Sequence, residues 1–173
     1  MTPPDTHASP AIFDDEHWMR LALEQAQRAA QCDEVPVGAL VVHAGRLVGT
    51  GFNQPISACN PVAHAEILAL QDAARCLNNY RLIDCTLYVT LEPCTMCAGA
   101  LIHSRIQRLV YGATEPKAGA ILSTSRVLEQ EAMNHRIEVT GGILAQESSA
   151  LISGFFQRRR AEKRAARGKP PLS

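Results

Sequence analysis

Two short segments constrain this chain more than anything else in it: Pro61-Val62-Ala63-His64-Ala65-Glu66 and Glu92-Pro93-Cys94-Thr95-Met96-Cys97. One imidazole and two thiolates are the donor types that hold Zn²⁺ in a tetrahedral site. A fold that serves these residues therefore brings the two segments to one point. Three protein ligands rather than four leave a position for water, as catalytic zinc sites do. Zinc lowers the pKa of such a water from roughly 16 to about 7, which at about 1.36 kcal/mol per unit is on the order of 12 kcal/mol. Glu66, two residues past the histidine, can then carry a proton from that water to a leaving group. The combination reads as a hydrolytic site with Glu66 as general acid and base.

Other readings compete. Cys94 and Cys97 are spaced i, i+3, so at a helix start both sulfurs share a face beside the positive helix end. The same pair could belong to a structural zinc knuckle or to part of an iron–sulfur site. A structural zinc wants a fourth ligand and a cluster usually four cysteines, and the chain has no second Cys-x-x-Cys. Glu66 could itself be a ligand, although residues i and i+2 point to different sides of a helix. Glu92 could be a second acid, but its place against Pro93 favours a structural role.

At 173 residues the chain has the length of one domain with a normal core. Formal charge is zero but unevenly spread: the stretch from Gln157 onward carries +6, leaving −6 on the rest. Such asymmetry suggests an anionic partner at the C-terminal end, although a solvated helix face is the commoner cause of a charge run. Residues 1–10 lack the charged start and apolar run of a secretory leader, and no apolar stretch approaches membrane-spanning length. In a reducing compartment a Cys-x-x-Cys binds metal rather than forming a disulfide. Cys32, Cys59, Cys76 and Cys85 have no comparable spacing and read as packing or surface residues.

Along the chain, residues 1–12 read as a disordered lead-in, 13–168 as one domain ending in a basic helix, and 169–173 as a disordered tail. Asp14 or Asp15 caps a helix to about Ala30. Val35–His43 and Arg46–Thr50 form a hairpin, and Asn60-Pro61 opens a helix to about Leu77. Strands follow at Thr86–Leu91, Arg108–Gly112 and Ile137–Thr140, with helices at Thr95–Ser104, near Val127–Glu131 and at Gln146–Arg167. Strands alternating with helices imply a mostly parallel sheet covered on both sides.

His-x-Glu followed by Pro-Cys-x-x-Cys is the zinc-deaminase signature. Phe52-Asn53-Gln54-Pro55, Leu87-Tyr88-Val89-Thr90-Leu91, Cys97-Ala98-Gly99-Ala100, Met133-Asn134-His135-Arg136 and Gly154-Phe155-Phe156 extend the likeness. Over roughly residues 14 to 165 the chain resembles the bacterial tRNA-specific adenosine deaminases, within the cytidine/deoxycytidylate deaminase-like zinc hydrolases. That resemblance implies a three-layer α/β/α fold with a five-stranded, mostly parallel mixed sheet. It implies one Zn²⁺ per subunit on His64, Cys94 and Cys97, with Glu66 as proton shuttle.

It further implies that Asn53, Glu115, Asn134, Phe155, Arg159 and Arg160 bind substrate. The partner would be a tRNA anticodon stem–loop, the assembly a homodimer, the compartment cytoplasmic, and the reaction conversion of the wobble adenosine to inosine. Two positions depart from the family pattern: Glu115 stands where relatives commonly have Asp, and Phe52 where many have Trp. The motif alone does not separate adenine from cytosine chemistry. A deaminase of free bases or nucleosides in salvage, or a non-catalytic RNA-binding protein with a structural zinc, would carry similar ligands.

Overall fold

Five of the six residues of Gly38–His43 (β1) are buried, and they alternate between two cores. Ala39 and Val41 face one hydrophobic cluster, while Leu40 and Val42 face another. A strand buried on both faces belongs inside a sheet covered on both sides. The computed structural model describes residues 13–167, and bears this out. The expected lead-in over residues 1–12 and the tail over 169–173 lie outside the described residues.

Asp15–Gln31 (α1) precedes β1 and Arg46–Phe52 (β2) follows it. Then come Ala65–Leu77 (α2), Cys85–Leu91 (β3), Thr95–His103 (α3) and Arg108–Ala113 (β4). A single 3₁₀ turn at Val127–Glu129 separates β4 from Glu138–Gly141 (β5), and Ala145–Arg167 (α4) closes the order. The sheet runs β2-β1-β3-β4-β5. β1 pairs antiparallel with both β2 and β3, whereas β3–β4 and β4–β5 are parallel. The sheet is therefore mixed, with the parallel share confined to the β3–β4–β5 half. α2 and α3 pack on the face of Ala39, Val41, Leu87 and Val89, and α1 on the face of Leu40, Val42, Tyr88 and Val110.

Two ties lock the layers. Asp15 at the start of α1 takes a bidentate pair from Arg108 on β4 (2.8 and 2.7 Å) and the Tyr88 hydroxyl from β3 (2.9 Å). On the other face α2 lies so close to β2 that a Cβ at Gly51 would overlap the Ala65 carbonyl. That close approach sets α2 against the sheet edge and fixes where its first turn projects.

The start of α2 differs from the reading of Asn60-Pro61 as a helix opening. The Asn60 side chain accepts from the Val62 N–H (3.1 Å) and its carbonyl from the Ala63 N–H (3.1 Å), holding a turn that competes with helix. The helix begins only at Ala65, whose N–H is taken by the Asn53 side chain at 2.9 Å. His64 thus sits at the cap position, outside the helix, and Glu66 falls in the first turn.

Candidate active site

Two helix starts meet beside the ends of β1 and β3. His64 caps α2, Cys94 caps α3, and Cys97 lies in the first turn of α3. Neither cap residue uses its side chain for the helix, which leaves the imidazole and the thiol free to point at each other. His64 Nδ1 is 3.7 Å from Cys94 Sγ and 3.6 Å from Cys97 Sγ. The three donor atoms lie within 4.8 Å of one another, and both cysteines are free thiols. A tetrahedral zinc at about 2.3 Å from sulfur and about 2.0 Å from nitrogen would place those atoms about 3.6 Å apart. The triad fits that ion.

The three groups shift one another's protonation. Cys94 is held well below the ordinary thiol range, first by the Cys97 S–H and then by His64, despite partial burial that pushes the other way. Cys97 is pushed up, first by donating to Cys94 and then by burial, and the Cys94 hydrogen bond raises His64. Metal binding to such a set releases protons.

Glu66 is only 4% exposed, and burial pushes its carboxyl up to about 7. A carboxyl poised near neutrality can take and return a proton in one turnover. It shares a cavity of about 260 Å³ with Asn53, His64, Cys94, Glu92 and Glu115. The apolar part of the wall is Val35, Val37, Pro55, Leu91 and Ala118. Among the residues predicted to bind substrate, Asn53 and Glu115 reach this cavity. The Asn53 carbonyl oxygen is committed to the Ala65 N–H, so its amide hydrogens are what remains for a ligand.

The other predicted contacts lie elsewhere. Asn134 accepts from Arg105 at 2.9 Å, beside a separate cleft of about 350 Å³ lined by Arg81, Asp84, Arg105, His135 and Arg136. His135 there donates to the Ile106 carbonyl at 2.7 Å. Phe155, expected to bind substrate, is packed rather than presented to solvent. Its ring is 8% exposed, packed edge-on against Phe156 and covered by Arg158. Helical geometry turns adjacent positions about 100° apart, so Phe156 is the exposed ring of the pair, at 42%. Arg159 is exposed and touches Glu162 at 3.3 Å, and for the exposed Arg160 no ion pair occurs among the described residues.

Glu92, read as structural from its place against Pro93, binds the loop 115–123 through five hydrogen bonds. Burial pushes its carboxyl up, but the Ser123 hydroxyl and the N–H groups of Leu122, Ser123 and Glu115 outweigh that and hold it below its ordinary value. Nothing local in the sequence marks this role, because the partners follow 23 to 31 residues later. The apolar wall was equally silent: Val35, Val37 and Leu91 read as strand residues.

Comparison with known proteins agrees with this geometry. The family described as MafB19-like deaminase matches residues 13–160. A tRNA-specific adenosine deaminase from Haemophilus influenzae is 54% identical over 151 residues, 87% of each chain. The Bacillus subtilis protein of the same description is 40% identical, covering 90% of this chain and 97% of its own. A solved structure from work on A-to-I editing by tRNA:A34 deaminases at the wobble position is 43% identical. It superposes with a TM-score of 0.76 over 78% of this chain and 98% of its own.

Proposed function

The chain belongs to the MafB19-like deaminases and, through its relatives, to the tRNA-specific adenosine deaminases, and from that premise we propose that it hydrolyses the wobble adenosine of a tRNA anticodon to inosine. The observation that carries the reading is the meeting of His64, Cys94 and Cys97 donor atoms within 4.8 Å of one another, at a cavity that His64 and Cys94 share with the buried carboxyl of Glu66.

His64 Nδ1 and the two thiolates would hold one Zn²⁺ per chain, leaving one position open. When bound, zinc supplies a water acidified to near neutrality. Glu66 then accepts a proton as water oxygen bonds to C6 of adenine, and passes it to the ring nitrogen. It then takes the remaining proton from the hydroxyl on C6 and delivers it to the exocyclic amine, so that the C6–N bond breaks and ammonia leaves. Oxygen stays on C6, and the product is inosine. The free amide hydrogens of Asn53 are suited to a base edge or ribose hydroxyl. Glu115, from the opposite loop, closes the other side of the nucleotide.

RNA affinity comes from outside the cavity. Phe156 offers an exposed ring for a flanking base, and Arg159 and Arg160 offer charge to the phosphate backbone. Asn134 stands beside the arginine-lined cleft, where a longer stretch of backbone would run. An unpaired adenine in a loop costs less to extrude than a paired one. We also assign a homodimer in the cytoplasm. An apolar groove of about 260 Å³ between α2 and α3, with Ile67, Leu70, Tyr80 and Leu82 on its walls, supports the pairing. Sedimentation as a monomer would remove the dimer. No helix among the described residues is long and apolar enough to cross a membrane.

The test is inosine formation in an adenosine-containing anticodon stem–loop RNA, with free adenosine and cytidine as parallel substrates. Inosine in the stem–loop alone supports the proposal. Turnover of free nucleosides alone would move the protein to salvage while keeping the same site chemistry.

A further inference from the structure

Glu92 ends two residues before the ligand Cys94, and its side chain is 2% exposed. Its Oε1 accepts the backbone N–H groups of Ile121 (3.1 Å), Leu122 (2.7 Å) and Ser123 (2.9 Å). Its Oε2 accepts the Glu115 N–H at 2.9 Å and the Ser123 hydroxyl. All five donors belong to one loop. The packing is tight enough that a Cβ at Gly119 would fall on the Glu92 carboxyl, and the same Gly119 forms a β-bridge with Cys94. Ala120 N–H adds a bond to the Pro93 carbonyl at 2.8 Å.

The loop so held carries Glu115 and Ala118, both on the cavity wall. Glu66 in the first turn of α2 and His64 at its cap take no hydrogen bond from this loop among the described residues. Loosening the loop would therefore move one wall of the cavity and leave the proton shuttle in place.

We propose that Glu92 is a positioning residue for substrate: it sets the Glu115 loop at a fixed distance from Cys94, so nucleotide affinity depends on it while the chemical step does not. The inference rests on the deaminase reading above.

Glu92→Gln is the discriminating variant. It keeps one acceptor oxygen for the three successive amides but presents an NH₂ where the Glu115 N–H needs an acceptor. The Michaelis constant for the anticodon stem–loop is expected to rise about tenfold while kcat stays within about threefold. Metal content is expected to match the wild type, and the amides of Glu115, Ile121, Leu122 and Ser123 to exchange faster with deuterium. Ser123→Ala, which removes one of the five bonds, moves KM the same way by less.

In a Glu115→Ala background, Glu92→Gln is expected to raise KM no further, because the two act through one wall. An unchanged KM, a loss of metal, a fall in kcat as large as the rise in KM, or full additivity with Glu115→Ala would each overturn the role. Should Glu92→Gln fail to fold, Ser123→Ala and its cycle with Glu115→Ala carry the same test. A wild type that leaves the stem–loop untouched would sink the underlying function as well, which separates the two failures.

Discussion

The metal-ligand corner and the basic end of α4 are built in opposite ways. His64, Cys94 and Cys97 are held by backbone: two helix caps and a first turn, with α2 set closely against β2 at Gly51. Arg159 and Arg160 extend from an exposed helix face, where Arg159 makes a surface pair with Glu162. The first arrangement fixes atoms to the tolerance that coordination demands. The second tolerates adjustment, which suits a phosphate backbone read by charge rather than by geometry. On the proposed function, chemistry would be concentrated in few side chains and grip spread over many.

That contrast predicts all-or-none losses at the first region and graded ones at the second. Cys97→Ala should lose both metal and turnover, seen by metal analysis of the purified variant beside the inosine assay. Glu66→Gln should keep its metal and lose about 10²- to 10⁴-fold in kcat, the usual span for a general acid–base group. Metal loss in Glu66→Gln would instead make this residue a ligand.

The two adjacent phenylalanines give the next largest separation. Phe155→Ala should cost about 3 kcal/mol of stability, read from denaturant unfolding, because it empties a packed site. Phe156→Ala should stay within about 0.5 kcal/mol of the wild type yet bind the stem–loop more weakly. The reverse pattern would assign the RNA contact to Phe155.

A stability test sharpens the framework side. Arg108 beside Asp15 holds its carboxyl below the usual carboxylate range, mainly through their hydrogen bonds. A depressed carboxylate stabilises the fold above its unfolded pKa of about 3.9 and loses that contribution as pH falls through the lower folded value. Asp15→Asn should therefore cost about 1–2 kcal/mol at neutral pH and flatten the acid limb of the stability curve, measured by unfolding across pH 2–6. A variant with an unchanged acid limb would show that the Arg108 pair is energetically silent.

The smallest effects belong to the exposed arginines. Arg159→Ala and Arg160→Ala should each lower the log–log salt slope of stem–loop binding by about 0.7, as expected for one lost contact to a single strand. A slope that does not move would place the backbone on another face.

Element order and most boundaries were legible because local signals coincide: the Asp14 cap, the apolar run of β3 stopped by Pro93, and the left-handed Asn78 that ends α2. The start of α2 was not. Pro61 permits a helix there, but the Asn60 turn and a distant acceptor on Asn53 move the first turn to Ala65. Phe155 and Phe156 were indistinguishable in sequence, since their difference is an angle around α4 relative to the rest of the molecule.

By itself, the sequence determined the donor set and its chemistry: one imidazole, two thiolates at i, i+3 and a carboxyl two residues from the histidine. Those spacings act within a single turn, so they survive translation into any fold that starts helices at the right places. Tertiary structure decided the rest. It brought His64, Cys94 and the Glu66 carboxyl to one cavity and wrapped the 115–123 loop around Glu92. Burial and loop closure depend on residues far apart in the chain, and no local pattern encodes them.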